Sequence, residues 1–309
     1  PGSGEFRAPN EPYGVMVTYM AAGDDLPHPD EASERERQNL RKSGEDEKPP
    51  KVEMTVKNAA GEVVRRQKFT VHQGMNRLTW SMRHDGVRPM PGPDARPIED
   101  GLPGGPQVPE GDYRISLQLA AEEGPPAEDA TPASVLADPR SPFTAEARRR
   151  NYESLLQVQE LSASAVTAVE QIVAAREDID TVSRLIGKQR KNNTAEDDDL
   201  ESLEEQAKEL RKELARLEAL FRTPPKTRGN IYDDDKVVNR IGRAGFYVGS
   251  SRDEPTATAL SYVDTARRAL EQAAAELEQL LRGDLAEFSQ AVTQAGIGLF
   301  TSASPAEGG

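Results

Sequence analysis

The sequence predicts a multidomain β plus α protein: an antiparallel β-sandwich followed by a long antiparallel three-helix bundle. Apolar residues alternate with polar ones in stretches of the first 140 residues, as in Val52-Glu53-Met54-Thr55-Val56. After Asp138-Pro139-Arg140 they recur instead at three- and four-residue spacings. Length fits the division, since 309 residues leave room for two domains.

The β half is expected over 12–138. Val15, Val17 and Tyr19 alternate with smaller or polar neighbours and open the series of strands. Val52, Met54 and Val56 follow, Asn58-Ala59-Ala60-Gly61 supplies a turn, and Val63-Val64 restarts a strand, so 51–69 reads as a hairpin. In Met75 to Met82, Leu78, Trp80 and Met82 share one face; in Asp112 to Ala120, Tyr113, Ile115, Leu117 and Leu119 do. A short last strand is expected at Ala133 to Ala137. Six or so such strands separated by turn residues suit a sandwich. Trp80, Tyr113 and Leu117 are its expected core anchors, because a large ring or branched chain on the apolar face of a strand packs inward. Two insertions interrupt the pattern. Residues 21–50 are rich in charge and proline, with a short helix expected around Glu31 to Lys42; residues 84–111 are dense in proline and glycine. Both read as surface excursions with little regular structure.

The helical half is expected over 141–298. Ser141-Pro142 resembles a helix start, with a capping hydroxyl and a proline at the first helical position. One long helix over about 143–190 carries Leu155, Val166, Val169, Ile172, Ile179 and Ile186, and Lys191-Asn192-Asn193-Thr194 breaks it. A second uses Leu200, Leu203, Ala207, Leu210, Leu214 and Leu217 and ends before Pro224-Pro225. A third starts after Pro255, capped by Thr256 or Thr258, and stops at Gly296. Three such stripes are hidden most simply against each other. Residues 222–254 read as an irregular segment tied to the bundle by Ile231, Ile241, Phe246 and Tyr247. Residues 1–11 read as a linker or a cloning scar, and 299–309 as a disordered tail.

Composition narrows the function. With 36% hydrophobic and 30% charged residues, the chain is polar for one globule yet too rich in apolar positions for disorder. An extended architecture with a thin core fits better than a compact enzyme. The formal charge of −14 repels phosphate, which disfavours nucleic acid and anionic membrane as partners. The absence of cysteine removes disulfides, thiol nucleophiles and cysteine-based zinc sites. No run reaches the ~18 apolar residues of a membrane span. The chain opens on Pro1 without an initiator methionine, so it reads as an excised piece of something larger.

No catalytic constellation can be nominated. His28, His72 and His84 are far apart in sequence, and no HExxH pair, nucleophile elbow, phosphate loop or dinucleotide fingerprint occurs. No cofactor and no metal are expected. Asp197-Asp198-Asp199 sits at a helix N-terminus, where carboxylates offset the macrodipole. Asp233-Asp234-Asp235 lacks the alternate spacing and glycine of a calcium loop, and solvated carboxylates are its simpler reading beside a metal site. Gly242-Arg243-Ala244-Gly245 and Gly249 surround Phe246 and Tyr247. They read either as a connecting loop packed closely on the bundle or as a ligand loop, with Asp233, Asp235, Arg243 and Tyr247 as its candidate residues.

Phe6-Arg7-Ala8-Pro9-Asn10-Glu11-Pro12-Tyr13-Gly14 and the strand that follows resemble a segment of bacterial sortilin-like, BNR-repeat proteins, often labelled glycosyl hydrolase-like. In that family the segment lies directly after a large β-propeller. The next part is similar to the immunoglobulin-like module of the flagellar hook-capping protein. Gly61-Glu62-Val63-Val64-Arg65, Gly74 to Arg83 and Val108-Pro109-Glu110-Gly111-Asp112-Tyr113 carry that likeness, and 255–296 resembles the family's last helix. A commoner Trp-Asp-x-Arg reads Trp80-Ser81-Met82-Arg83 here, and the propeller is outside the chain.

The resemblance implies an immunoglobulin-like sandwich and an exported protein, periplasmic or at the cell surface. It implies a non-catalytic accessory module that supports the parent's own N-terminal propeller or mediates protein–protein contact. The alternative is the C-terminal part of a glycan- or peptide-processing hydrolase whose active site lies in the propeller. Self-association through the helices is a further expected partner mode.

Overall fold

A computed structural model describes residues 12–23, 26–29, 50–92, 95, 98–119, 127–192, 198–224 and 233–297, the side chains of 191, 192 and 198 excepted. The short helix expected at 31–42, the start of the Phe6 motif, Asp197, Ile231 and the tail lie outside the described residues. The chain has antiparallel sheets and helices, a mixed β plus α protein. It divides into two compact units. One holds Pro1–Arg88, Arg96–Leu156 and Arg252–Glu254; the other holds Pro89–Ala95, Gln157–Ser251 and Pro255–Gly309.

Among the described residues eight strands belong to the first unit: β1 (Val15–Ala21), β2 (Lys51–Asn58), β3 (Val63–Thr70), β4 (Gly74–Trp80), β5 (Arg83–Asp85), β6 (Gly104–Gln107), β7 (Gly111–Leu119) and β8 (Ala127–Val135). All pairings are antiparallel, in sheets ordered β3-β2-β7-β8, β1-β4 and β5-β6. Alternation decides which face is buried. Val52, Met54 and Val56 of β2, Ile115 and Leu117 of β7, Val17 of β1 and Leu78 of β4 meet in one core. Trp80 sits at its centre with only 1% of its surface exposed. Its ring meets Tyr113 edge-on at 5.1 Å, and its Nε1 donates to the Arg83 carbonyl at 3.1 Å. Tyr113 in turn donates its hydroxyl to the Pro109 carbonyl at 2.9 Å, and burial pushes its pKa up to about 12. Leu117 is buried in the same cluster.

Three features depart from the expected pattern. The last strand, β8, begins at Ala127 rather than near Ala133 and ends at Val135. Only Val135 of β8 is buried, so an edge strand left no alternation to read. The insertion at 84–111 is partly regular, since β6 pairs with β5. Its irregular stretch is pinned along β3: the Lys68 N–H donates to the Asp100 carbonyl at 2.8 Å, and Arg65 donates to the carbonyls of Leu102 and Pro103 at 2.7 and 2.9 Å. The expected domain boundary at 138–141 marks the change of secondary structure but not the division into units. The next helix contributes its first turns to the first unit, where Tyr152 packs on the core. Arg148 clasps Glu110 through Nε at 3.0 Å and Nη2 at 2.6 Å.

Five helices are described in place of the expected three: α1 (Ala145–Asn192), α2 (Asp198–Phe221), α3 (Val237–Gly249), α4 (Ala257–Arg282) and α5 (Asp284–Gln294). The apolar stripes read from the sequence are buried, among them Val169, Ile172 and Ile179 of α1 and Leu210, Leu214 and Leu217 of α2. Thr256 caps α4 by accepting from the Ala259 N–H. The single helix expected at 255–296 is two, because Gly283 leaves helical geometry between α4 and α5. The segment expected to be irregular at 222–254 contains α3. Its glycines concealed an amphipathic helix that buries Val237, Ile241, Ala244 and Val248. A Cβ on Gly245 would lie 3.4 Å from Val158 Cγ1, so that glycine keeps α3 close to α1.

One buried charge cluster was not legible. Glu218 of α2, its side chain 2% exposed, receives Arg176 Nη2 at 2.5 Å and Arg222 Nη2 at 2.7 Å. Arg222 also donates to the Pro91 carbonyl. Burial raises the Glu218 pKa, but the two guanidiniums outweigh it and hold the carboxyl below its ordinary range.

Two outcomes are expected. A Cβ on Gly14, whose φ is +143°, would lie 2.2 Å from the Trp80 carbonyl oxygen. Gly14→Ala should therefore lower the stability of the first unit by about 2 kcal/mol, read by urea unfolding through the fluorescence of the lone tryptophan. Glu218→Gln leaves two arginines without their anion and should cost about 3 kcal/mol, read by thermal unfolding in far-ultraviolet circular dichroism. The folded pKa of Glu218 lies below the unfolded one, so its contribution is complete above the unfolded carboxyl range. It fades as pH falls through the folded value, and the gap between wild type and Glu218→Gln should close on acidification.

Candidate functional site

The candidate residues of the sequence gather on and just before α3, within the second unit. Asp233, Asp234 and Asp235 precede the helix, and each turns to a different cation. Asp233 Oδ2 meets Lys236 Nζ at 3.1 Å, Asp234 pairs with Arg243, and Asp235 Oδ1 accepts from Arg240 Nη2 at 2.6 Å. Asp233 Oδ1 also accepts the Asp235 N–H at 2.9 Å, and the Asp233 carbonyl accepts Asn239 Nδ2 at 2.7 Å. That backbone hydrogen bond first, then the Lys236 ammonium, lowers the Asp233 pKa. The acidic run thus fastens the start of α3 by ion pairs along it. Among the described residues no group of three or more His, Cys, Asp or Glu could hold a metal ion. His72 and His84 each place Nδ1 2.9 Å from the carbonyl of the next residue.

Arg243 and Tyr247 lie four residues apart and so on one face of α3. Tyr247 stacks on Tyr262 of α4, with ring centroids 4.4 Å apart and an interplanar angle of 5°. Phe246 meets Tyr247 edge-on at 5.7 Å. Phe246, expected to tie this segment to the bundle, is instead 71% exposed, and Tyr247 is 41% exposed. The helix explains this: Ile241, Ala244 and Val248 take the inward positions, and the rings fall outside that stripe. Leu260 of α4 is exposed as well. The Tyr262 phenol is held protonated above its ordinary range by its hydrogen bond with Tyr247.

Sequence reasoning reached Asp233, Asp235, Arg243 and Tyr247 but missed Tyr262. Its signal was faint: Tyr262 directly precedes Val263, which takes the inward position on α4. Trp80, Tyr113 and Leu117 belong to the core of the first unit. An open groove of about 320 Å³ also touches Asp235 and Arg240, and runs past Arg268 and Glu276. Its charges answer one another or a neighbour, as Asp235 does Arg240 and Asp264 does Arg268. The site thus presents flat aromatic surface, a phenol pair and a neutralised Asp–Arg pair. No helix among the described residues is long and apolar enough to cross a membrane.

No family model, no curated protein and no solved structure matches this chain.

Tyr247→Phe removes the hydroxyl that holds the Tyr262 proton and keeps the ring stack. The tyrosine absorbance attributable to Tyr262 should then move to lower pH, read by ultraviolet titration against Tyr262→Phe.

Proposed function

We propose that this chain is a non-catalytic accessory module that makes protein–protein contact, the C-terminal part of an exported sortilin-like β-propeller protein. The observation that carries the contact role is the exposed aromatic stack of Phe246, Tyr247 and Tyr262. In a chain only 5% aromatic, rings left on the surface beside a neutralised charge pair suit an interface anchor. The family assignment rests on the order of the motifs in the sequence. Gly14, the last residue of the opening motif, is supported by a physical need, since no side chain fits against the Trp80 carbonyl. In this reading the first unit is an immunoglobulin-like sandwich, which the core shared by the four-stranded sheet and the β1–β4 pair favours. The second unit is an antiparallel bundle of three long helices, α1, α2 and α4, with α3 and α5 as short additions. Its partner is the propeller of the same polypeptide.

Mixing the full chain with the separately produced upstream propeller tests this. Binding should be seen by calorimetry, and Phe246→Ser with Tyr247→Ser should weaken it by at least ~tenfold without loss of helix signal. Equal binding by the double variant, or none by the wild type, would overturn the reading. Hydrolysis of glycosides or peptides by the chain, abolished by one carboxylate substitution, would overturn its non-catalytic part.

A further inference from the structure

A different surface, in the first unit, carries an inference independent of the propeller. A strand at the edge of a sheet offers unpaired N–H and C=O groups, and folded proteins blunt such edges with proline, charge or a covering segment. The edges of the four-stranded sheet follow that rule. β8 carries Pro132 opposite Arg114, and β3 is covered by the Asp100–Pro103 stretch and by the Asp85 carboxylate on the Arg66 N–H. The ribbon of β1 and β4 does not. Among the described residues β1 pairs with β4 alone, and Val15-Met16-Val17-Thr18-Tyr19-Met20-Ala21 contains neither charge nor proline.

Its outer face is apolar besides. Met16 is 46% exposed, Met20 is 72% exposed, and Met75, the β4 partner of Met20, is 67% exposed. The exposed positions are Met16, Thr18 and Met20, and they read the same in both directions about Thr18. An antiparallel copy centred on Thr18 would place Thr18 opposite Thr18, and Met16 opposite Met20 in both directions. The outer face then becomes two rows, each running Met75, Met20, Met16, Thr79 across four strands, on either side of a central Arg77, Thr18, Thr18, Arg77 row. Arg77 Nε already donates to Thr18 Oγ1 at 3.3 Å, which sets its charge beside the hydroxyl. A chain of net charge −14 repels itself over most of its surface, and this strand adds no charge to oppose its twin. β4 is less suited, because its continuation turns at Met82, whose φ is +55°.

We propose that β1 pairs with β1 of a second copy about a two-fold axis through Thr18, making one four-stranded sheet across an isologous dimer. The pairing is between backbones, with the methionine rows giving it register.

The test uses the full chain, which has no cysteine of its own. Thr18→Cys sets two thiols directly opposite, with Cα atoms about 5 Å apart, within disulfide range. Met75→Cys sets them at least ~14 Å apart, three strand spacings away. Mild oxidation should convert the Thr18→Cys chain to covalent dimer at least ~tenfold faster than the Met75→Cys chain. Sedimentation should give twice the monomer mass for wild type and the monomer mass for Thr18→Lys, whose two ammonium groups would face each other. Equal crosslinking at both positions, crosslinking at neither, or a wild type that sediments as a monomer would overturn the proposal. So would a Thr18→Lys chain that still dimerises, since that places the interface elsewhere.

Discussion

A proline-rich stretch gives up backbone N–H donors but keeps every carbonyl, so whatever holds it in place must donate. In this protein arginine does so. Arg65 reaches the carbonyls of Leu102 and Pro103, Arg148 that of Phe143, and Arg222 that of Pro91. Each also meets a carboxylate: Asp85, Glu110 and Glu218 respectively. The guanidinium suits the task because one rigid plane carries five donors and can serve a carboxylate and a carbonyl together. A lysine could neutralise the acid but would not span both.

The same clasps explain how an acidic chain tolerates buried charge. A buried carboxylate alone would be protonated or expelled. Beside two guanidiniums Glu218 is held ionised despite its burial, and beside Arg148 so is Glu110. Such clusters are weak sources of net stability, because desolvation opposes the attraction, but breaking one half leaves an unanswered charge. Their contribution is to fix which carbonyl sits where. Arg65 shows the limit of the arrangement: its Nε is buried and has no hydrogen-bond partner, while Nη1 serves Asp85, Leu102 and Pro103 and Nη2 donates to Gln67.

Legibility in the sequence followed locality. β2, β4 and β7 each bury one face, so alternation gave them away; β8, on an edge and mostly exposed, gave none. The stripes of α1 and α2 were plain because straight-chain and branched apolar residues repeat over many turns. α3 was hidden by Gly242, Gly245 and Gly249, which read as a loop when propensity is weighed alone. Tertiary contact reverses that reading at Gly245, where the missing side chain admits Val158. Once α3 exists, the three aspartates before it find their cations at positions 236, 240 and 243. The same helix turns Phe246 outward. The arginine clasps were beyond reach for a simpler reason: Arg65 and Pro103 are 38 residues apart, Arg222 and Pro91 are 131 apart, and no local pattern encodes either.

Charge is therefore distributed by purpose. Where proline-rich stretches must be held, opposite charges are paired and largely withdrawn from water, as at Arg65, Arg148 and Arg222. Where large apolar groups are left outside, charge is absent or cancelled. β1 has no ionisable group except the Tyr19 phenol, whose pKa burial raises, and the aromatic stack of α3 and α4 sits beside an Asp234–Arg243 pair that sums to zero. A surface at −14 keeps most encounters apart at long range, so an area free of that field is one of the few where close approach costs little. Affinity at such an area must come from what remains: backbone groups and methionine at β1, flat rings at α3. As proposed, the first would take the uncharged strand of a second copy and the second a shaped apolar surface, so two apolar islands in an acidic surface would select different partners.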